Sequence, residues 1–208
     1  MIARLHHITQ DNLKKTHTEQ AQDALFGGCK WIQLRSKTLS EEEIIKEAIA
    51  TLQLTKAHSA KLILNDNWEL AHELKLDGVH VGLTDTPIDL IRTKVNNNDF
   101  IIGGTANNFE DIKLHHSHKA HYIGLGPLRF TSTKEKISPI LGMEGYQSAI
   151  TKCIESNIDL PIIAIGGIKA EDCSPLLTLG VHGVAIASEI NKASNPVVQT
   201  KLFVQNLS

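Results

Sequence analysis

The sequence predicts an α/β protein, a single (β/α)8 barrel (TIM barrel) domain over residues 1–208. Three observations favour this fold: short β-branched apolar runs alternate with longer amphipathic segments, the chain contains eight such pairs, and their spacing is nearly even. A chain of 208 residues lies near the lower end of the size range of this fold, roughly 200 to over 400 residues. A doubly wound open sheet is the alternative, but the even spacing gives no sign of the reversal in strand order that it requires.

Each predicted strand is a short apolar run that ends near glycine or a polar residue. In chain order the runs are ARLHHIT near residue 5, KWIQLR ending at Arg35, KLILND ending at Asp66, DGVHVG ending at Gly82, DFIIGG ending at Gly104, HYIGLG ending at Gly126, PIIAIGG ending at Gly167 and HGVAIAS ending at Ser188. Helical patterns lie between them over residues 16–26, 40–58, 67–74, 86–95, 107–116, 143–156, 169–179 and 195–206. The second helix has the best marked start, because Ser40 and Glu43 form a capping box.

Composition and motifs exclude several classes of function. The formal net charge of −2 provides no overall attraction for nucleic acid or an anionic membrane, so any anion site must be built from a few residues. The cysteines Cys29, Cys153 and Cys173 are widely spaced without a C-x-x-C pair, which argues against a disulfide framework or a zinc site. Motifs for acyl transfer, zincin hydrolysis and Walker-type phosphate binding do not occur. No apolar run has the length of a membrane span, so we predict a cytoplasmic protein that binds neither nucleic acid nor membrane.

Polar side chains follow most of the predicted strands at their carboxyl ends, where such barrels build their active sites. The candidates are Gln33, Arg35 and Lys37 after the second strand, Asn65 and Asp66 after the third, Asp85 beyond the fourth, Thr105 and Asn107 after the fifth, and a run from Arg129 to Lys134 after the sixth. Strands seven and eight end instead in small residues, namely Gly166, Gly167, Ala187 and Ser188. Turns of that kind can bind a phosphate through backbone N–H groups.

Each of these groups also has a purely structural interpretation. Asn65 or Asp66 could cap the next helix, and Asp85 could mark a helix start. The basic residues after strand two could be a solvated strand end, and glycine serves any tight turn. Arg129 is open between substrate contact and solvent, and His80 is expected in the barrel interior. The convergence of all the polar groups on one end of the barrel favours a functional site.

The residue types indicate the chemistry of the ligand. Mg²⁺ usually takes one or two protein carboxylates and fills its octahedron with water and substrate phosphate oxygens, and Asp66 with Asp85 could supply that pair. A diphosphate that bridges the metal, Arg35, Lys37 and Lys134 would be neutralised from several sides, as a leaving group requires. A second phosphate would lie at the glycine turns. We therefore predict a site for two anionic small-molecule substrates.

Several segments together resemble one enzyme family in order and spacing. They are IQLRSK, LILNDNWELAHELKLDGVHVG, IIGGTANN, YIGLGPLRFTSTKEK, LGMEGY, PIIAIGGI and GVHGVAIASEI, and they resemble thiamine-phosphate synthase (thiamine-phosphate pyrophosphorylase) from about residue 5 to residue 191. The resemblance implies a (β/α)8 barrel with Mg²⁺ as its cofactor. It also implies a transferase that joins 4-amino-2-methyl-5-(diphosphooxymethyl)pyrimidine to a thiazole phosphate, giving thiamine phosphate and diphosphate.

Carried over by position, the resemblance assigns a role to each candidate. Those expected to contact the pyrimidine substrate or its diphosphate are Gln33, Arg35, Lys37, Asn65, Thr105 and Lys134, of which Arg35, Lys37 and Lys134 are the implied catalytic cations. Those expected at the thiazole phosphate are Thr131, Thr133, Gly167, Ala187 and Ser188, and the implied metal ligands are Asp66 and Asp85. The chain departs from the family pattern at Asn67, where arginine is common, and at Ser132, where proline is usual.

The resemblance implies a dissociative displacement, in which diphosphate leaves and the thiazole nitrogen attacks the resulting cation. Such a reaction needs positioning and charge stabilisation rather than a nucleophile and a base. Two rival functions share the barrel: a thiazole tautomerase, which would not need the diphosphate half of the site, and a non-catalytic regulator that binds thiamine precursors. A homodimer is expected from barrels in general.

Overall fold

Eight parallel strands close into a barrel in chain order. The structure is a computed structural model that describes residues 1–130 and 139–208. The strands are β1 (Leu5–Ile8), β2 (Trp31–Leu34), β3 (Lys61–Asn65), β4 (Gly78–Val81), β5 (Ile101–Ala106), β6 (Tyr122–Leu125), β7 (Ile162–Ile165) and β8 (Gly183–Ile186). Each strand pairs with the next, and β8 pairs with β1. The predicted (β/α)8 barrel is confirmed, and the open sheet is wrong because a closed barrel has no free edge.

Helices connect the strands around the outside of the barrel. Within the described ranges they are α1 (His17–Phe26), α2 (Glu41–Ala57), α3 (Trp68–Glu73), α4 (Ile88–Lys94), α5 (Phe109–Ser117), α6 (Gly142–Glu155), α7 (Cys173–Thr178), α8 (Ser188–Asn191) and α9 (Pro196–Asn206). The predicted capping box of α2 is present, because the Ser40 hydroxyl accepts the Glu43 N–H and the Glu43 carboxylate accepts the Ser40 N–H. None of the described helices is long and apolar enough to cross a membrane.

Two helical segments differ from the sequence prediction. The helix expected over residues 169–179 is split into a 3₁₀ turn, Ala170–Asp172, and the short helix α7. The helix α8 follows β8 directly and has only four residues. So short a helix has no complete apolar period, and the sequence pattern therefore gave no sign of it.

Side chains alternate along each strand, and this alternation separates two cores. One core lies between the strands and the helices. The other fills the barrel interior, and its buried members include Trp31 of β2, Ile63 of β3 and Ile101 of β5. Two or four residues further along the same strands come Gln33, Asn65 and Thr105, which therefore face the interior nearer the carboxyl ends. Polar side chains therefore line the mouth of the barrel, and mainly apolar and aromatic side chains fill the interior below it.

Gly103 shows how closely the barrel interior is packed. A Cβ at this position of β5 would lie 2.2 Å from the ring of Tyr122 on the neighbouring strand. The absent side chain makes room for the buried tyrosine ring. Tyr122 is thereby held beside His80, directly below the polar mouth.

Candidate active site

Two amides from neighbouring strands pair at the mouth of the barrel. The Gln33 Nε2 donates to the Asn65 Oδ1 at 2.7 Å, and Gln33 is only 4% exposed. A buried amide pair of this kind fixes the orientation of both side chains. Helix α3 is capped by Asn67, whose side chain accepts the Leu70 N–H at 3.0 Å. The alternative in which Asn65 or Asp66 caps that helix is therefore wrong, and the Asn67 departure has a local structural role.

Asp66 lies directly after β3 in a left-handed backbone conformation, with φ of +65°. Aspartate tolerates this region better than most residues. Its N–H donates to the His80 carbonyl at 2.8 Å, which ties the turn to β4. Its carboxylate forms an ion pair with the Lys37 ammonium. The turn therefore directs the carboxylate toward the segment after β2.

Asp85 approaches the same carboxylate from the loop after β4. Its Oδ2 accepts the Gly82 N–H at 2.7 Å, while α4 begins after Pro87 without a side-chain cap. The pKa of Asp85 is raised, first by burial and then by the negative charge of Asp66. Asp85 therefore braces its own loop instead of capping a helix. The two carboxylates are close enough to repel each other, which is the arrangement a divalent cation relieves.

Two cations from the segment after β2 complete this side of the mouth. Lys37 is ion-paired with Asp66, and its side chain is 55% exposed. Within residues 1–130 and 139–208, the Arg35 guanidinium has no hydrogen-bond or ion-pair partner, although its backbone N–H donates to Thr9. A half-buried guanidinium without a partner can take up an anion with little competition from the protein.

Thr105 is held by a buried chain of polar groups. The His80 Nε2 lies 3.0 Å from the Thr105 Oγ1, and the His80 Nδ1 lies 3.0 Å from the Tyr122 hydroxyl. Burial raises the pKa of Tyr122, so its hydroxyl keeps its proton. His80 lies in the barrel interior as predicted, with a hydrogen-bond partner for each ring nitrogen. Thr105 thus has a fixed position beside the predicted pyrimidine site.

The turn after β7 depends on two glycines in the left-handed region. Gly166 has φ of +90° and Gly167 has φ of +68°. A Cβ on Gly166 would lie 2.5 Å from the Pro127 Cβ, and one on Gly167 would lie 2.9 Å from the Arg129 Cβ. Side chains are excluded from this turn both by conformation and by space. The two glycines therefore allow the segment after β6 to pack directly against this turn.

Arg129 has a structural partner that the sequence did not reveal. Its two terminal nitrogens donate to the two carboxylate oxygens of Asp172 at 2.5 and 2.7 Å, and one of them also donates to the Gly167 carbonyl at 3.1 Å. The pKa of Asp172 is lowered, because the hydrogen bonds from Arg129 and from a backbone N–H outweigh the effect of burial. Arg129 therefore fixes the glycine turn through its pair with Asp172.

Ala187 and Ser188 directly follow β8, the strand that pairs with β7. Ala187 is the N-cap residue of α8 and Ser188 its first residue. The Gln10 Nε2 donates to the Ser188 Oγ at 3.1 Å, which links α8 to the loop after β1. The predicted phosphate turns are thus neighbours at the barrel mouth. The predicted contacts Thr131, Thr133 and Lys134, and the departure Ser132, lie outside the described residues.

Sequence reasoning missed the polar residues of the loop after β1 and the start of α1. Thr9, Asp11 and His17 form hydrogen bonds with one another and with the segment that carries Arg35 and Lys37. None of them belongs to a recognisable motif. Residue 11 comes beside residue 37 only because β1 and β2 are neighbours in the barrel. The sequence alone carries no pattern that indicates this contact.

Comparison with known proteins shows the family of this chain. A family model described as thiamine monophosphate synthase matches residues 5–190. The chain belongs to that family. A thiamine-phosphate synthase of Bacteroides fragilis is 49% identical over 197 residues, covering 95% of this chain and 96% of the relative. The corresponding protein of Flavobacterium johnsoniae is 41% identical over 208 residues, covering 100% of this chain and 96% of the relative.

A solved structure supports the membership at the level of the fold. The thiamine phosphate pyrophosphorylase of Pyrococcus furiosus superposes with a TM-score of 0.86 at 26% identity, covering 98% of this chain and 95% of that one. A KDPGal structure with a TM-score of 0.73 and 11% identity shares the fold alone. The thiamine monophosphate synthase family therefore accounts for the resemblance seen in the sequence, over nearly the whole chain.

Proposed function

We propose that this chain is a transferase that joins 4-amino-2-methyl-5-(diphosphooxymethyl)pyrimidine to a thiazole phosphate, giving thiamine phosphate and diphosphate. The observation that carries the proposal is the grouping of the Asp66 and Asp85 carboxylates with the Lys37 ammonium. The same segment carries Arg35, whose guanidinium has no partner among the described residues. This combination suits a diphosphate and a cation bound together. The relatives that match over nearly the full chain bear the name of this activity.

The carboxylate pair fits Mg²⁺. Asp85 carries a raised pKa partly because Asp66 is negative, so a divalent cation between them would remove a repulsion already present in the protein. The described residues contain no cluster of three or more His, Cys, Asp or Glu that could hold a metal, so two carboxylates would be the protein's share. Two carboxylates with the remaining positions left to water and phosphate is the usual arrangement for Mg²⁺. When bound there, Mg²⁺ would neutralise charge on the departing diphosphate.

The chain's own residues supply binding and orientation. Arg35 and Lys37 would hold the diphosphate, with Lys37 exchanging part of its contact with Asp66 for substrate oxygens. The rigid pair of Gln33 and Asn65, with Thr105 across the mouth, would orient the aminopyrimidine ring. The interior below them is filled by buried side chains such as Trp31 and Ile63, so water has little access to the reacting carbon from that side.

The glycine turn would hold the second substrate. Backbone N–H groups around Gly167, Ala187 and Ser188 would bind the thiazole phosphate, and Thr131, Thr133 and Lys134 complete this proposal from the sequence. Held in this way, the thiazole nitrogen could attack the pyrimidine methylene as diphosphate leaves. The attacking nitrogen has its own lone pair, so no protein base is needed.

A thiazole tautomerase would have no use for the carboxylate pair and its cations. A cytoplasmic location and a homodimer stay predictions.

The activity can be tested directly. Mixing both substrates with Mg²⁺ should release diphosphate and form thiamine phosphate in equal amounts. Asp66→Ala and Lys134→Ala should each lower kcat/KM by about 100-fold or more. Glu110→Ala is a matched control on α5, because this carboxylate is 75% exposed and pairs only with the neighbouring Lys113 among the described residues. The proposal fails if the unmodified protein releases no diphosphate, or if folded Asp66→Ala and Lys134→Ala form product at its rate.

A further inference from the structure

The segment that carries Arg35 and Lys37 lies beyond the last backbone pairing of its strand. β2 ends at Leu34, and α2 does not begin until Glu41. The last backbone hydrogen bond between β1 and β2 runs from the Thr9 N–H to the Gln33 carbonyl at 3.0 Å. The next residues of the segment therefore depend on side chains for their position.

Side chains of the loop after β1 continue the pairing where the backbone stops. The Arg35 N–H donates to the Thr9 Oγ1 at 3.1 Å. The Asp11 carboxylate accepts the Ser36 hydroxyl at 2.5 Å on one oxygen and the Lys37 N–H at 2.7 Å on the other. Residues 35–37, the cation-bearing segment, are thus bound to two side chains of the neighbouring loop.

His17, the first residue of α1, joins these two side chains. Its Nδ1 lies 2.7 Å from the Thr9 Oγ1, and its Nε2 lies 3.2 Å from the Asp11 Oδ1. A carboxylate only accepts, so the Nε2 proton points to Asp11. In the neutral ring the Nδ1 then accepts the Thr9 hydroxyl proton, and the Thr9 oxygen remains free to accept the Arg35 N–H. Every proton in the chain of hydrogen bonds has an acceptor.

The side chains of Thr9, Asp11 and His17 are largely buried, which restricts their conformations. The His17 side chain is 6% exposed and the Asp11 side chain 11% exposed. The pKa of Asp11 is lowered: burial raises it, but the hydrogen bonds from Ser36 and Lys37 together outweigh burial. Asp11 is therefore a charged acceptor, and charge-assisted hydrogen bonds are about twice as strong as neutral ones.

We propose that Thr9, Asp11 and His17 are positioning residues that set the backbone of the cation-bearing segment, residues 35–37, for the diphosphate of the pyrimidine substrate. The inference rests on the proposed function. Arg35 and Lys37 can meet a diphosphate together only if their backbones keep a fixed separation and direction, because their long side chains otherwise sample many conformations. None of the three positioning residues touches the substrate in this scheme.

The test compares Asp11→Ala and Asp11→Asn with Asp23→Asn. Asp23 is a matched control, because it is a partly enclosed carboxylate of α1 that pairs with Lys15 and does not contact the cation-bearing segment. We expect Asp11→Ala to lower kcat/KM for the pyrimidine diphosphate by about 10- to 100-fold, as small misplacements of binding groups do. Asp11→Asn keeps one acceptor and should lose less. KM for the thiazole phosphate should stay within about twofold in all three variants, because a positioning role affects only one substrate.

Calorimetry with inorganic diphosphate and Mg²⁺ separates this inference from the proposed function. Weaker diphosphate binding by the Asp11 variants, with unchanged binding by Asp23→Asn, supports the positioning role even if the unmodified protein makes no thiamine phosphate. The inference is overturned if a folded Asp11 variant binds diphosphate as tightly as the unmodified protein, or if KM rises equally for both substrates. Should Asp11→Ala fail to fold, Asp11→Asn decides by the same measurements.

Discussion

Gly167→Ala tests the glycine turn after β7. The residue has φ of +68°, and an added Cβ would lie 2.9 Å from the Arg129 Cβ and 3.2 Å from the Phe130 carbonyl oxygen. Left-handed backbone costs a residue with a Cβ about 1–2 kcal/mol. Displacing the crowded neighbours adds about 1–3 kcal/mol, as overpacking usually does. We therefore expect Gly167→Ala to lower the free energy of unfolding by about 2–5 kcal/mol.

Gly167→Ala should also weaken the binding of one substrate, the thiazole phosphate, selectively. If the turn binds the thiazole phosphate through its N–H groups, loss of one hydrogen bond to the charged phosphate costs about 1.5–3 kcal/mol. That corresponds to an increase in KM for the thiazole phosphate of about 10- to 150-fold. KM for the pyrimidine diphosphate should change little, because Arg35 and Lys37 follow β2 and the two carboxylates follow β3 and β4.

Gly28→Ala supplies the matched control for backbone strain. Gly28 has φ of +95°, but a Cβ there would meet nothing closer than Val204, at 3.8 Å. It should lose about 1–2 kcal/mol of stability, which lowers Tm by about 2–8 °C in a chain of this size, with both KM values unchanged. Steady-state kinetics for each substrate and thermal unfolding provide the measurements. The reasoning is refuted if Gly167→Ala is destabilised but keeps the KM of the unmodified protein for the thiazole phosphate.

Two further predictions concern charge. Asp85→Asn should abolish Mg²⁺-dependent activity. In metal-free buffer it should raise the free energy of unfolding by up to about 1 kcal/mol, because it removes a carboxylate that Asp66 repels and whose pKa is raised. A lower Tm of this variant without metal would contradict the prediction. Asp172→Asn should lower stability at pH 7 by about 1–3 kcal/mol through loss of its ion pair with Arg129. Because the pKa of Asp172 is lowered on folding, this contribution is present above its unfolded pKa of about 4 and is lost as pH falls through its folded pKa. Urea unfolding from pH 7 to pH 3 should show the difference between the two proteins shrinking, and a constant difference would argue against the ion pair.

Several features of the candidate site follow from local sequence pattern. Gln33 lies two residues after Trp31 on β2, and Asn65 lies two residues after Ile63 on β3, so alternation alone places both amides in the barrel interior. The need for glycine at Gly166 and Gly167 also follows from a tight turn after an apolar strand. These properties involve neighbours in the chain, which is why they could be predicted.

Other features depend on partners that are distant in sequence. Arg129 pairs with Asp172, 43 residues away, and no pattern in either segment indicates it. Asp11 meets Ser36 across 25 residues. Asn67 was treated as a departure from the family pattern, and its role as the cap of α3 became visible only when the helix start was located. Pairing of this kind depends on which strand ends and loops become neighbours.

By itself the sequence determined the barrel, the end that carries the polar residues, and the family to which the chain belongs. Hydrophobic periodicity and turn chemistry are local properties, and eight repeats of the same local pattern leave few ways to close a parallel sheet. The tertiary structure alone decided that Arg129 braces the glycine turn and that side chains of the loop after β1 hydrogen-bond the segment after β2. Those contacts exist because closure of the barrel brings loops from separate βα units to a single rim.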